Sequence, residues 1–144
     1  PRVLYVSLHQ APFYPGTGAH DEIGAGPGEG FTLNVPLSEG ATSAVFQRAF
    51  DRAIVPALRA FAPELVLVSA GFDAHARDPL ASMLVDESAY GAMAASLAAV
   101  AAESAAGRIA LILEAATISA PSSSPWPPRS AASSAPRATP CPAR

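Results

Sequence analysis

The sequence predicts an α/β domain with a parallel sheet flanked by helices, followed by a tail of a different kind. Three observations carry this reading. Apolar runs of strand length alternate with stretches of helical periodicity through residues 1–114. Two of the runs, Leu65-Val66-Leu67-Val68 and Ile109-Ala110-Leu111-Ile112-Leu113, are unbroken, as expected of strands buried on both faces. After Glu114 the text turns to Ala, Ser, Pro and Arg, with no acidic residue.

The elements follow in order. Val3-Leu4-Tyr5-Val6 opens a first strand, and Phe31-Thr32-Leu33-Asn34-Val35 forms a second after a long loop. Residues 43 to about 60 place Val45, Phe46, Ala49, Phe50, Ala53, Ile54 and Leu58 at helical spacing, with Arg48, Arg52 and Arg59 free to stay wet. Pro56 marks a bend or a break in that helix. The third strand begins at Leu65. An Ala-rich helix spans 86–106 and stops at Gly107, before the fourth strand at Ile109. In parallel sheets of this kind, ligands sit beyond the C-terminal ends of the strands. Ser7-Leu8-His9, Ser69-Ala70-Gly71-Phe72-Asp73 and Glu114 are expected there.

The 144 residues suffice for one domain with its own core. Half are hydrophobic and 15% are charged, which is ordinary for a globular protein. A net charge of -3 leaves no basic footprint, so direct nucleic-acid binding is not expected. No apolar run reaches about 18 residues, so no membrane span is expected. The single cysteine, Cys141, excludes a disulfide framework within the chain and agrees with a cytoplasmic setting. The chain enters directly on a strand-like segment at Pro1-Arg2-Val3, which suggests that it is cut from something longer. All nine basic residues are Arg, the mark of a GC-rich gene.

Residues 115–144 are interrupted by Pro121, Pro125, Pro127, Pro128, Pro136, Pro140 and Pro142 and read as a disordered tail.

The segment Leu67-Val68-Ser69-Ala70-Gly71-Phe72-Asp73-Ala74-His75 concentrates the candidate chemistry. A hydrocarbon strand ends in small residues that let backbone turn tightly, and then a carboxylate appears. Asp73 could bind a metal, act as a base, or merely cap the next helix through an Asx turn. Asp73 and His75 would share a face if the segment were extended, and zinc accepts both donor types, although a solvated His75 is the plainer reading. A hydrolase triad of Ser69, Asp73 and His75 is disfavoured, because Leu67 stands where a nucleophile elbow needs glycine. The run Gly24-Ala25-Gly26-Pro27-Gly28-Glu29-Gly30 places Glu29 where a dinucleotide fingerprint needs its third glycine, and a strand follows it. It is therefore expected to be a flexible surface loop. Phe13 and Tyr14, just past the first strand, could wall a substrate slot or pack under the loop.

Taken together, four blocks resemble the histone deacetylase family, closest to its class II and bacterial members, which include acetylpolyamine amidohydrolases. They are Val3-Leu4-Tyr5-Val6-Ser7-Leu8-His9-Gln10, Phe13-Tyr14-Pro15-Gly16-Thr17-Gly18, Leu33-Asn34-Val35-Pro36-Leu37, and the block ending in Asp73-Ala74-His75 with Asp78-Pro79-Leu80 after it. The match covers residue 1 to about 114. It implies part of an arginase-like deacetylase fold and zinc-assisted hydrolysis of an N-acetyl amide on an acetylated lysine or polyamine. By the same resemblance Asp73 is a zinc ligand, and Phe13 and Tyr14 line the channel for the acyl-amine chain. Ser7, through its hydroxyl, and Leu8, through its carbonyl, bind a structural potassium ion. Phe31 gives a carbonyl to a second potassium.

Two parts of the family pattern stand elsewhere or are altered. The family's Asp-x-His zinc motif and His pair precede the segment that starts at Val3. After Glu114 the family continues Gly-Gly-Tyr, where this chain reads Ala115-Ala116-Thr117. A single deleted G accounts for the change: GAG GGC GGC TAC GAT CTC becomes GAG GCG GCT ACG ATC TC, which reads Glu114, Ala115, Ala116, Thr117, Ile118 and Ser119. The expectation is the C-terminal half of a deacetylase, inactive alone, with a frameshifted tail. The alternative is a non-catalytic remnant or acyl-chain binding module. A generic esterase acting through Ser69 comes third.

Overall fold

The computed structural model describes residues 2–14 and 16–114. The tail and its proposed frame change lie outside the described residues. Four strands and three α-helices follow in the predicted order: β1 (Tyr5–Gln10), β2 (Thr32–Leu37), α1 (Ser43–Ala49), α2 (Val55–Phe61), β3 (Val66–Ala70), α3 (Glu87–Ser104) and β4 (Ile109–Leu113).

The strands fall into two parallel pairs, β1 with β2 and β3 with β4. Tyr5 pairs with Thr32 and Gln10 with Leu37, while Val66 pairs with Ile109 and Ala70 with Leu113. Tyr5 N–H donates to the Phe31 carbonyl (3.0 Å) and Ala11 N–H to that of Leu37 (2.8 Å). Odd-numbered residues of β1 therefore face β2, and the backbone groups of Val6 and Leu8 point off its other edge. Val66 N–H donates to the Arg108 carbonyl (3.0 Å), which likewise leaves Leu67 and Ser69 on the open edge of β3.

Residues 43–61 run as one helical rod whose middle, Phe50–Ile54, is wound as a π turn. Pro56 explains it. Proline has no N–H to donate, and its ring crowds the carbonyl four residues back. The wider turn relieves that crowding, and Val55 N–H reaches the Phe50 carbonyl. The expected bend is thus a local widening that keeps Phe46, Phe50, Ile54, Val55 and Leu58 on the buried side. Asp86 starts α3 by accepting the Ala89 N–H (3.0 Å). The helix ends where Ala106 and Gly107 take left-handed φ of 50° and 76°, and Gly107 N–H closes onto the Ala101 carbonyl (2.9 Å).

The main core packs α1, α2 and α3 against Val85, Met83 and the inner side chains of β1 and β2. A smaller cluster joins Val66 to Ala101 and Ala105. One expectation is corrected here. β3 and β4 are not buried on both faces: Leu67 is 63% and Leu113 74% exposed. Among the described residues, β3 is covered on one side only, and β4 is exposed from Ala110 onward on both sides.

Candidate functional site

The C-terminal ends of β1 and β3 border one cleft of about 140 Å³. Leu8, His9 and Gln10 supply one wall, and Asp73 with Ala74 the other. Phe13 and Tyr14 stand at its rim, and Phe46 and Met83 are among its apolar liners. Phe13 is 40% and Tyr14 91% exposed, so the aromatic pair lies open to solvent and is not packed under its loop.

Asp73 sits in a turn closed by the His75 N–H donating to the Phe72 carbonyl (3.0 Å). Among the described residues its carboxylate accepts no hydrogen bond, which removes the capping role left open by sequence. The cap of α3 is Asp86, and the Asx turn belongs to Asp78, whose Oδ1 accepts Leu80 N–H at 2.8 Å. Glycine at 71 leaves room for this carboxylate, since a Cβ there would lie 3.2 Å from Asp73 Oδ1. The free carboxylate thus faces the cleft because the strand ends in small residues and the turn needs nothing from its side chain.

His75 does not join it. The segment is a turn, not an extended strand, so the two side chains do not share a face. His75 is 9% exposed, stacks on Tyr90 with centroids 6.3 Å apart, accepts Arg77 N–H at Nδ1 (3.0 Å) and approaches Glu87 through Nε2 (3.5 Å). Phe72 contacts the same tyrosine at 4.9 Å. The Asp73 turn therefore rests on α3 through both neighbours. Burial, followed by the charges of Asp73 and Asp78, pushes the Tyr90 phenol up to about 12. Ser69 lies on the open edge of β3 with neither Asp73 nor His75 turned to it in a hydrogen bond, so no triad forms among the described residues.

Ser7 lies one residue short of the cleft wall, and its hydroxyl is hydrogen-bonded to His9 Nδ1 (2.9 Å). The Leu8 carbonyl faces the open edge of β1. The Phe31 carbonyl is engaged by Tyr5 N–H. These three do not converge on the cleft with Asp73. Among the described residues no three His, Cys, Asp or Glu side chains are grouped to hold a metal ion. A catalytic zinc takes three protein ligands, so the described residues do not make a complete zinc site. His9 does not add a ligand, because both its ring nitrogens are engaged, Nδ1 by Ser7 and Nε2–H by the Gly18 carbonyl at 3.0 Å.

Sequence reading placed His9 at the ligand end of the first strand but did not show its bond to Gly18, and it missed Met83 and Tyr90. Phe46 was legible as core from its spacing but not as a cleft liner. Nothing local marks Met83, because it reaches the cleft from an irregular segment. Among the described residues no helix is long and apolar enough to cross a membrane.

The Histone deacetylase domain family matches residues 1–115. A chloroplastic histone deacetylase 10 of Oryza sativa is 45% identical over 114 residues, which are 79% of this chain and 26% of that protein. A histone deacetylase-like amidohydrolase of Pseudomonas aeruginosa is 42% identical over 78% of this chain and 30% of its own length. The crystal structure of the HDA15 HD domain superposes with a TM-score of 0.72 at 41% identity, over 78% of this chain and 32% of that one. The chain spans about a quarter to a third of these relatives. With the family match running from residue 1 to 115 and the fold superposing on a solved histone deacetylase domain at 41% identity, this chain belongs to the histone deacetylase family.

Proposed function

We propose that this chain is part of a deacetylase that hydrolyses N-acetyl amides on acetylated lysine or polyamine and releases acetate. The observation that carries the reading is the free carboxylate of Asp73 at the end of β3, facing a cleft rimmed by Phe13 and Tyr14. An exposed aromatic pair beside an apolar floor suits an extended alkyl chain, which gains from leaving water. A carboxylate without hydrogen-bond partners keeps its lone pairs for a ligand. Asp73 is proposed as one zinc ligand, in a site whose other ligands are not among the described residues. Potassium at Ser7, Leu8 and Phe31 rests on the family resemblance, with the outward Leu8 carbonyl the best-placed donor. A cytoplasmic setting, without direct nucleic-acid or membrane partners, is part of the same proposal.

The isolated chain is proposed to be inactive, since one recognised ligand does not make a zinc site and Thr117 stands where the family carries its tyrosine. The test is an acetyl-lysine peptide and an acetylpolyamine offered to the isolated chain with zinc present. No acetate release above background is expected. Turnover that a hydroxamate blocks would contradict the incompleteness. The frame change after Glu114 is proposed on the codon match alone. The nucleotide sequence decides it: the other frame should read Gly-Gly-Tyr-Asp or a close variant.

A second reading, a non-catalytic acyl-chain binding module, is favoured by the same incomplete ligand set beside an intact aromatic rim. It is distinguished by peptide binding that persists without zinc.

A further inference from the structure

His9 reaches the cleft, yet the family reading gives it no task. Its ring is fully engaged. Nδ1 accepts the Ser7 hydroxyl at 2.9 Å, and Nε2–H donates to the Gly18 carbonyl at 3.0 Å. The Gly18 carbonyl can only accept, so Nε2 carries a proton, and in a neutral ring Nδ1 is then left to accept from Ser7. Gly18 is shaped around this contact. Its φ is +92°, and a Cβ at that position would lie 2.6 Å from His9 Nε2. The far side of Gly18 is braced in turn. Glu22 accepts the N–H groups of Gly18 (3.1 Å) and Ala19 (3.3 Å), and the Glu22 carbonyl accepts from Asn34, a buried residue of β2.

The loop from 11 to 23 is anchored at its ends, where Ala11 N–H meets the Leu37 carbonyl and the Ile23 carbonyl accepts from Gly30 and Thr32. Between those anchors, among the described residues, the bond from His9 to Gly18 is the one hydrogen bond that ties residues 12–21 to a strand. Phe13 and Tyr14 ride on that span.

We propose that His9 is a positioning residue: its ring, clasped between Ser7 and Gly18, holds the 11–23 loop to β1 and sets Phe13 and Tyr14 against Asp73. The proposal rests on the reading of Phe13 and Tyr14 as channel walls. His9 acts through Gly18 and touches no reacting group.

The test uses the 144-residue chain. Nitrogen NMR of the unmutated protein should show His9 as the Nε2–H tautomer. Amide hydrogen exchange then compares His9→Ala with His9→Gln, whose side-chain amide can still donate to Gly18. Loss of one such bond should speed exchange at Gly18, Ala19 and Glu22 by roughly tenfold in His9→Ala. β3, β4 and α3 should keep their protection, and His9→Gln should recover most of the loss. Gly18→Ala should loosen the same amides. An Nδ1–H tautomer, unchanged loop exchange in His9→Ala, or equal loosening of the whole protein would overturn the clasp. A short N-acetyl-lysine peptide, titrated while the Phe13 and Tyr14 signals are followed, forms a separate arm. Binding that weakens in His9→Ala and returns in His9→Gln supports the positioning role. No binding to the unmutated chain overturns the channel reading, while the exchange arm still decides the clasp.

Discussion

Phe46→Ala should be the most damaging single truncation in the cleft region, and its size can be worked from burial. Phe46 is 4% exposed, lies in the main core and forms part of the cleft lining. An aromatic side chain removes about 150–250 Å² from water. At ~25 cal/mol/Å² this is about 4–6 kcal/mol, an upper bound because unfolded chains already bury some surface. Truncations of buried aromatics to alanine typically cost about 3–5 kcal/mol, and that range is expected here. Leu113→Ala is the matched control. Leu113 belongs to an equally apolar stretch of sequence but is 74% exposed, so its truncation should change stability by no more than about 0.5 kcal/mol. Urea unfolding followed by far-UV circular dichroism separates them. The Phe46→Ala midpoint should fall by at least about 1 M, at an m-value of about 1–3 kcal/mol/M. Equal midpoint losses for the two variants would refute the reasoning, because a second layer would then cover β4.

Acid should weaken the start of α3. The Asp86 carboxyl is held below its ordinary value of 3.8 by hydrogen bonds from the Ser88 side chain, the Ala89 backbone and Ser43. A carboxyl depressed on folding stabilises above its unfolded pKa, and that contribution is lost as pH falls through the folded value. Asp86→Asn, which keeps an oxygen for the cap but cannot titrate there, should flatten the acid limb of a circular-dichroism titration. Superimposable limbs would count against the capping role. At the other end of the scale, Tyr90 should ionise at about 12 in an ultraviolet phenolate titration, and Tyr90→Phe should delete that step. The stability carried by its neutral phenol is complete below the ordinary value of 10.0 and is lost as pH rises through about 12. If the step that Tyr90→Phe deletes lies at the ordinary value of 10.0, the burial of Tyr90 is contradicted.

Much of the architecture was legible because it is written locally. The period of the apolar residues from 43 to about 60, the Gly107 stop and the small residues before Asp73 each act within a few positions of where they stand. The burial of β3 and β4 was not legible. An unbroken apolar run reports what a strand could pack against on both faces, while the described residues cover one face of β3 and leave β4 exposed from Ala110 onward. The pairing of Asp73 with His75 failed for a related reason. Two-residue spacing implies a shared face only in extended backbone, and the Phe72-to-His75 turn bond removes that condition. His9 was placed at the strand end, but its clasp went unread because its partner, Gly18, is nine residues away across a loop. Glycine at that place signals close approach only once the approaching ring is known.

This chain is proposed to carry one wall of a deacetylase site, with Asp73 as its single recognised zinc ligand. Calorimetric titration of the isolated chain with zinc, beside Asp73→Ala, tests it most directly. One carboxylate does not hold zinc as three ligands do, so the account predicts weak binding, no tighter than the micromolar range, that Asp73→Ala abolishes. Submicromolar zinc binding that survives Asp73→Ala would contradict it.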